Sequence, residues 1–98
     1  MIEPDDNWVV EPIEHKPDYK MHLWSIKFTT EGNYFVGSGG SGISRISGLI
    51  KTYDPVSFKG TAFSGITYQL VGDAGSTEES EFAWKKMVEE YGIEELTL

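Results

Sequence analysis

One stretch of this sequence, residues 76–91, has the pattern of a helix, and that limits what the rest can be. Trp84, Met87, Val88 and Tyr91 recur at i, i+3, i+4 and i+7 and make one apolar stripe. Ser76 and Glu79 have the spacing of a capping box, in which two side chains satisfy free backbone N–H groups at the helix start. Glu78, Glu79 and Glu81 fall in the first turns, where negative charge complements the helix dipole. Gly92 stands where a left-handed cap is expected. A lone amphipathic helix needs an apolar surface to lie on, and the preceding residues must supply it as sheet.

They have the right periodicity. In residues 20–30, Trp24, Ile26 and Phe28 alternate with Ser25, Lys27 and Thr29, the two-residue period of a half-buried strand. Glu31-Gly32-Asn33 is a turn, after which Tyr34-Phe35-Val36 returns as the second arm of a hairpin. Residues 37–42 have the composition of a flexible linker, a natural loop or a join between segments. Residues 43–53 read as one β-branched strand ended by Asp54-Pro55. Residues 56–59 are a short strand or the far side of a bend, 61–65 are turn-rich, and 66–71 alternate again. Leu96 and Leu98 suit an edge strand. Short turns favour antiparallel neighbours, because parallel pairs need long crossovers.

The expected fold is therefore α+β: a small twisted antiparallel sheet of about five or six short strands, with one C-terminal α-helix packed on one face. Residues 20–98 form this domain. Residues 1–19 read as an acidic arm, with Pro4, Pro12 and Pro17 set among carboxylates. Within the arm, Asn7-Trp8-Val9-Val10 could pair as an edge strand. Trp8 either docks on the domain or is offered to a partner.

The 98 residues suit one domain, and none is cysteine. Disulfides, thiolate nucleophiles and zinc–thiolate sites are thereby excluded, and a reducing, cytoplasmic location is expected. No run approaches the ~18 apolar residues that span a membrane, and the acidic N-terminus does not read as a signal peptide. His15 and His22 fit no metal-ligand spacing, so neither metal nor cofactor is expected. The glycine-rich segment lacks the Lys-Ser/Thr ending of a phosphate loop and the second glycine of a nucleophile elbow. Glu78-Glu79, Glu89-Glu90 and Glu94-Glu95 fall on what reads as solvated surface, away from the burial that acid–base catalysis needs. No catalytic residue is assigned, and the chain is not read as an enzyme.

The net charge of −8 is uneven. Residues 1–19 carry −5, residues 20–72 carry +3, and residues 73–98 carry −6. Such charge keeps a small domain soluble, or it faces a basic partner. The candidate partner-binding residues are Glu78, Glu79, Glu81, Glu89 and Glu90, with Phe82 and Trp8 as apolar anchors. Phe82 lies about half a turn off the helix stripe. It either packs against a loop or Trp8, or it is an exposed anchor of the kind found at interface hot spots. In the basic middle, Lys27, Arg45, Lys51 and Lys59 interleave with Tyr34, Tyr53, Phe58 and Tyr68, a composition suited to stacking single-stranded nucleic acid. The acidic ends oppose phosphate and make direct nucleic-acid binding the weaker reading.

By type, the chain resembles small acidic phage- or mobile-element-encoded inhibitor proteins of the anti-CRISPR kind. The likeness is carried by Glu78, Glu79, Glu81, Glu89 and Glu90 on the helix and by Asp5, Asp6, Glu11 and Glu14 on the arm. It covers the whole chain loosely and rests on no motif. It implies a carboxylate surface that occupies the basic, nucleic-acid-binding surface of a partner protein. The alternatives are an immunity or antitoxin protein that neutralises a basic nuclease, and a single-strand binder that uses the sheet face.

Overall fold

In the strand Asn33–Ser38 all six residues are buried, because each face of the strand meets its own core. The two-residue period sends Phe35 to one side and Tyr34 and Val36 to the other. The computed structural model describes residues 8–39 and 42–96, and arranges everything else around this wall. Ser41 and Leu98 lie outside the described residues.

The described residues form seven strands and one helix. These are β1 (Val9–Val10), β2 (Tyr19–Phe28), β3 (Asn33–Ser38), β4 (Ser44–Ile46), β5 (Ile50–Asp54), β6 (Lys59–Ala62), β7 (Thr67–Val71) and α1 (Glu78–Tyr91). The strands lie in the order β1-β5-β6-β7-β2-β3-β4. Four neighbouring pairs are antiparallel, but β1 runs parallel to β5 and β2 parallel to β7. The expected α+β fold with a C-terminal helix is present. The sheet differs from the expected five or six antiparallel strands: it has seven and is mixed. Residues 43–53 break at Ser47-Gly48-Leu49 into two strands; of the two readings of residues 56–59, a short strand or a bend, 56–58 form a turn, and the strand runs over 59–62, into the segment expected to be turn-rich. The parallel pairs join segments far apart in sequence, which reasoning from adjacent turns could not reach.

In the sheet order, three strands separate β3 from β5. Yet the Phe35 ring lies 5.9 Å from Tyr53 and 6.3 Å from Tyr68. Only a sheet rolled on itself brings them together. Inside the roll, Phe35 packs with Met21, Ile50, Tyr53, Ala62, Tyr68 and Leu70. The Ser47 amide donates to the Phe35 carbonyl at 2.9 Å, so the link between β4 and β5 helps close the roll. Two glycines make the fit possible. A Cβ at position 60 would clash with the edge of the Phe35 ring, and one at position 37 would lie 2.6 Å from Met21 and 2.8 Å from the His22 carbonyl. Gly37 is thus a packing residue, although its composition reads as linker.

β2 carries a bulge between His22 and Ser25. Leu23 there adopts a left-handed conformation at φ 46°, unusual for a bulky residue. The extra residue moves the alternation by one, so Met21 before it and Trp24 and Ile26 after it all face the inner core.

On the outer side of β3, Tyr34, Val36, Trp84 and Ile93 form a second core with Ile46, Leu49, Met87 and Val88. The helix is capped one residue later than expected. Thr77 accepts from the Ser80 amide at 3.0 Å, and Ser80 accepts from the Thr77 amide at 3.1 Å. Buried Ser80 closes the box with a short hydroxyl where a glutamate was expected. Gly92, at φ 63°, ends the helix in the left-handed cap. The tail then returns along β2, with Leu96 donating to the Phe28 carbonyl.

From Trp8 onward the proline-containing arm is docked along the sheet. Trp8 stacks on Tyr53 at 4.6 Å. Val9 and Val10 pair with Thr52 and Tyr53. Ile13 is buried, and its amide donates to Asp54 at 3.0 Å. His15 Nε2 lies 2.6 Å from Thr67 Oγ1, and Asp18 accepts from the Thr67 amide at 2.8 Å. Asp54 also accepts from the Val56 and Ser57 amides and the Ser57 hydroxyl, so one carboxylate shapes the β5–β6 turn and holds the arm. These donors, Ile13 first, hold its pKa at about 2.

Two tests follow. Gly60→Ala should destabilise the fold by about 3 kcal/mol in urea unfolding, as overpacking does. Phe35→Leu should relieve part of that clash, so the double variant should cost less than the two changes summed. For Asp54 the folded pKa lies below the unfolded value. Its contribution is therefore present above pH ~4 and lost as pH falls towards ~2. Thermal melts of Asp54→Asn should show a lower midpoint than the wild type at pH 6, and the two midpoints should converge by pH ~2.

Candidate functional site

At 100° per residue, Ser80, Trp84, Met87 and Val88 share the face of α1 turned to the sheet. Glu78, Glu79, Phe82, Lys85, Lys86, Glu89 and Glu90 are left on exposed positions. Phe82 sits near the middle of this face and is 64% exposed. The Lys86 ammonium lies 5.8 Å from its ring centre, a loose cation–π contact. Of the two expectations for Phe82, packing on Trp8 is overturned: Trp8 is on the inner core, stacked on Tyr53, and Phe82 stands in solvent.

The structure brings Glu78, Glu79, Phe82, Glu89 and Glu90 together on one face and separates the other two candidates from them. Glu81 turns towards the sheet, where Lys27 on β2 approaches to 2.7 Å. That ion pair through Oε1 fastens the helix to the sheet, while Oε2 is buried with no hydrogen-bond partner among the described residues. Trp8 is half-buried in the roll. Glu11 and Glu14 on the arm are exposed, while Asp5 and Asp6 lie outside the described residues.

The sheet does not present a stacking platform. Tyr34, Tyr53 and Tyr68 are all buried, and burial raises each phenol above its ordinary pKa. Arg45 lies 3.9 Å over the Tyr19 ring, and Lys27 is paired with Glu81. Phe58 alone of the four aromatics is substantially exposed, and it sits in a turn.

Sequence reasoning missed two surfaces. The first is an apolar rim made by Leu23, Trp24 and Phe58. Trp24 and Phe58 are 6.2 Å apart, Trp24 Nε1 donates to the Gly72 carbonyl, and Phe58, like Leu23, is left-handed at φ 57°. Left-handed backbone is signalled by Gly or Asn, so Leu and Phe gave no warning. The second is a groove of about 520 Å³ between the C-terminal half of α1 and the β3–β4 sheet. Tyr34, Ile46, Met87, Tyr91 and Ile93 line it, with Glu31 and Ser47. Tyr91 continues the helix stripe but is 71% exposed, overhanging the groove. Its place just before Gly92 was the available signal.

His15 beside Thr67 has the spacing of a base next to a hydroxyl. Thr67 is fully buried, however, and also contacts Thr61 Oγ1 at 2.9 Å, so the arrangement clamps the arm. Among the described residues, no three His, Asp or Glu side chains gather as metal ligands. Nor is any described helix long and apolar enough to cross a membrane.

The different roles of neighbouring helix aromatics can be measured. Phe82→Ala should leave stability within about 0.5 kcal/mol of the wild type. Trp84→Phe should cost about 1–2 kcal/mol, because the Trp84 indole donates to Glu95 at 2.7 Å. Urea unfolding of the two variants compares them directly. In comparisons with protein-family models, curated proteins and solved structures, the chain matches none.

Proposed function

We propose that this chain is a protein-binding inhibitor that covers a basic, nucleic-acid-binding surface of a partner protein, as anti-CRISPR proteins do. The observation that carries this reading is the exposed face of α1. There Phe82, an aromatic ring that the core does not use, has Glu78 and Glu79 one turn before it, Lys85 and Lys86 one turn after it, and Glu89 and Glu90 a turn further on. A desolvated aromatic within a charged rim is the common arrangement of an interface hot spot. Clustered carboxylates speed encounter with a basic partner and disfavour acidic ones. A fixed helix presents both with little loss of conformational entropy on binding. Glu11 and Glu14 add exposed negative charge on the arm. An immunity protein against a basic nuclease would use the same face. The single-strand-binding reading loses support, because the tyrosines it needs are buried.

The test is retention of a partner from lysate of the source organism or its host on immobilised protein, at about 0.1 M and 1 M salt. The Debye length falls from ~10 Å to ~3 Å over that range. A basic nucleic-acid-processing protein should be held at low salt and released at high salt. It should be lost with Glu78→Gln, Glu79→Gln, Glu89→Gln and Glu90→Gln combined, and weakened at least tenfold by Phe82→Ala. Equal retention by the quadruple variant, with its helix intact by circular dichroism, would remove this face from the proposal. Recovery of nucleic acid alone would favour a direct binder.

A further inference from the structure

The groove beside Tyr91 is negatively biased as well as apolar. Glu31 is the charged residue lining it. The groove also lies at the C-terminal end of α1, whose last turn carries no basic residue to offset the negative pole of the helix dipole. Glu90 precedes Tyr91, and Glu94 follows Ile93, its carbonyl bonded to the Thr30 amide next to Glu31. Lys27 is held by Glu81, Arg45 lies over Tyr19, and exposed Lys85 and Lys86 do not line the groove. The interior mixes polar and apolar surface: Ile46 and Met87 are partly exposed to it, while Tyr34 and Ile93 are almost wholly buried and show only their edges. Tyr91 has an aromatic face left open to solvent. The volume falls in the range of small-molecule sites. The Tyr34 phenol, raised by burial and by Glu31, stays protonated and can donate or accept at neutral pH.

We propose that this groove binds a small amphiphilic amine, with its organic ammonium between Glu31, the C-terminal end of α1 and the Tyr91 ring, and its apolar body on Ile46, Met87 and Ile93. A carboxylate plus an aromatic face is a recurrent arrangement for organic cations. An anion of the same shape would meet Glu31 and the helix end with repulsion. Phe82 projects from the other side of α1 and does not line the groove, so the two proposed sites share only the nearby charge of Glu90.

The probe is 4-phenylbutylamine, titrated into ¹⁵N-labelled protein at pH 7 and compared with 4-phenylbutanol and 5-phenylpentanoate. Saturable amide shifts should centre on Ser47, Tyr91 and Ile93. The amine should bind roughly threefold to fivefold more tightly than the alcohol and about tenfold more tightly than the carboxylate, as exposed charge pairs and a helix terminus allow. Glu31→Gln should remove most of the preference for the amine over the alcohol. Tyr91→Ala, at an exposed position, should weaken binding of the amine and the alcohol alike. Phe82→Ala should change none of these affinities, which separates this site from the protein-binding face. The proposal is overturned by equal affinity for amine and alcohol in the wild type, by shifts centred elsewhere, or by no saturable shift at about 10 mM amine.

Discussion

The Phe35 ring occupies the space that Gly60 leaves empty, and the rolled sheet depends on that contact. The ring lies against Tyr53 of β5, Tyr68 of β7 and Trp8 just before β1, so it sets how far the sheet must curl. Because β3 is consumed on its inner face by this ring, its outer face is free to offer Tyr34 and Val36 to the helix. A β-strand buried on both faces loses the usual contrast between apolar and polar positions. Tyr34-Phe35-Val36 accordingly reads as a short continuous apolar run. The placement of α1, and with it the exposure of Phe82 and the existence of the groove, follows from a contact on the opposite side of the strand.

Charge is arranged with a similar division of labour. Carboxylates that touch the fold are each occupied: Asp54 gathers the β5–β6 turn and the arm, Asp18 holds Thr67, Glu81 meets Lys27, and Glu95 receives the Trp84 indole. Of the exposed acids of α1, Glu78 and Glu79 complement the helix dipole at its start, and Glu89 and Glu90 fall near its negative end. Their mutual repulsion works modestly against the compact state and in favour of an oppositely charged surface. This contrast separates structural from available carboxylates more sharply than exposure alone.

Much of the architecture was legible because it is local. The helix, its glycine cap, the first hairpin and the final strand all follow from periodicity and turn chemistry within about fifteen residues. The capping box slid by one residue because Ser76-Thr77 offers two adjacent hydroxyls and Ser80 can replace a glutamate. The break at Ser47-Gly48-Leu49 was hidden by β-branched neighbours. The bulge at Leu23 was hidden because no residue there favours positive φ. The parallel pairs were out of reach, since nothing in Val9-Val10 points to Thr52-Tyr53. At the candidate surface, the offset of Phe82 from the stripe was readable, as was the acidity around it. The withdrawal of Glu81 was not, because it requires knowing that Lys27 lies beneath the helix.

The two parallel pairings also bear on how the chain reaches this structure. Hairpins β2–β3, β5–β6 and β6–β7 close over short loops and can form on microsecond timescales. The β1–β5 and β2–β7 ladders join Val9 to Thr52 and Tyr19 to Tyr68, so each must bring together distant parts of the chain before any hydrogen bond repays the lost entropy. Such high contact order places assembly in the millisecond-to-second range, with the hairpins waiting on the parallel docking of β2 against β7. In that interval the edges of β2 and β7 are unpaired and Phe35 has no roll to fill, which makes it the period in which the chain is most exposed to pairing with its neighbours.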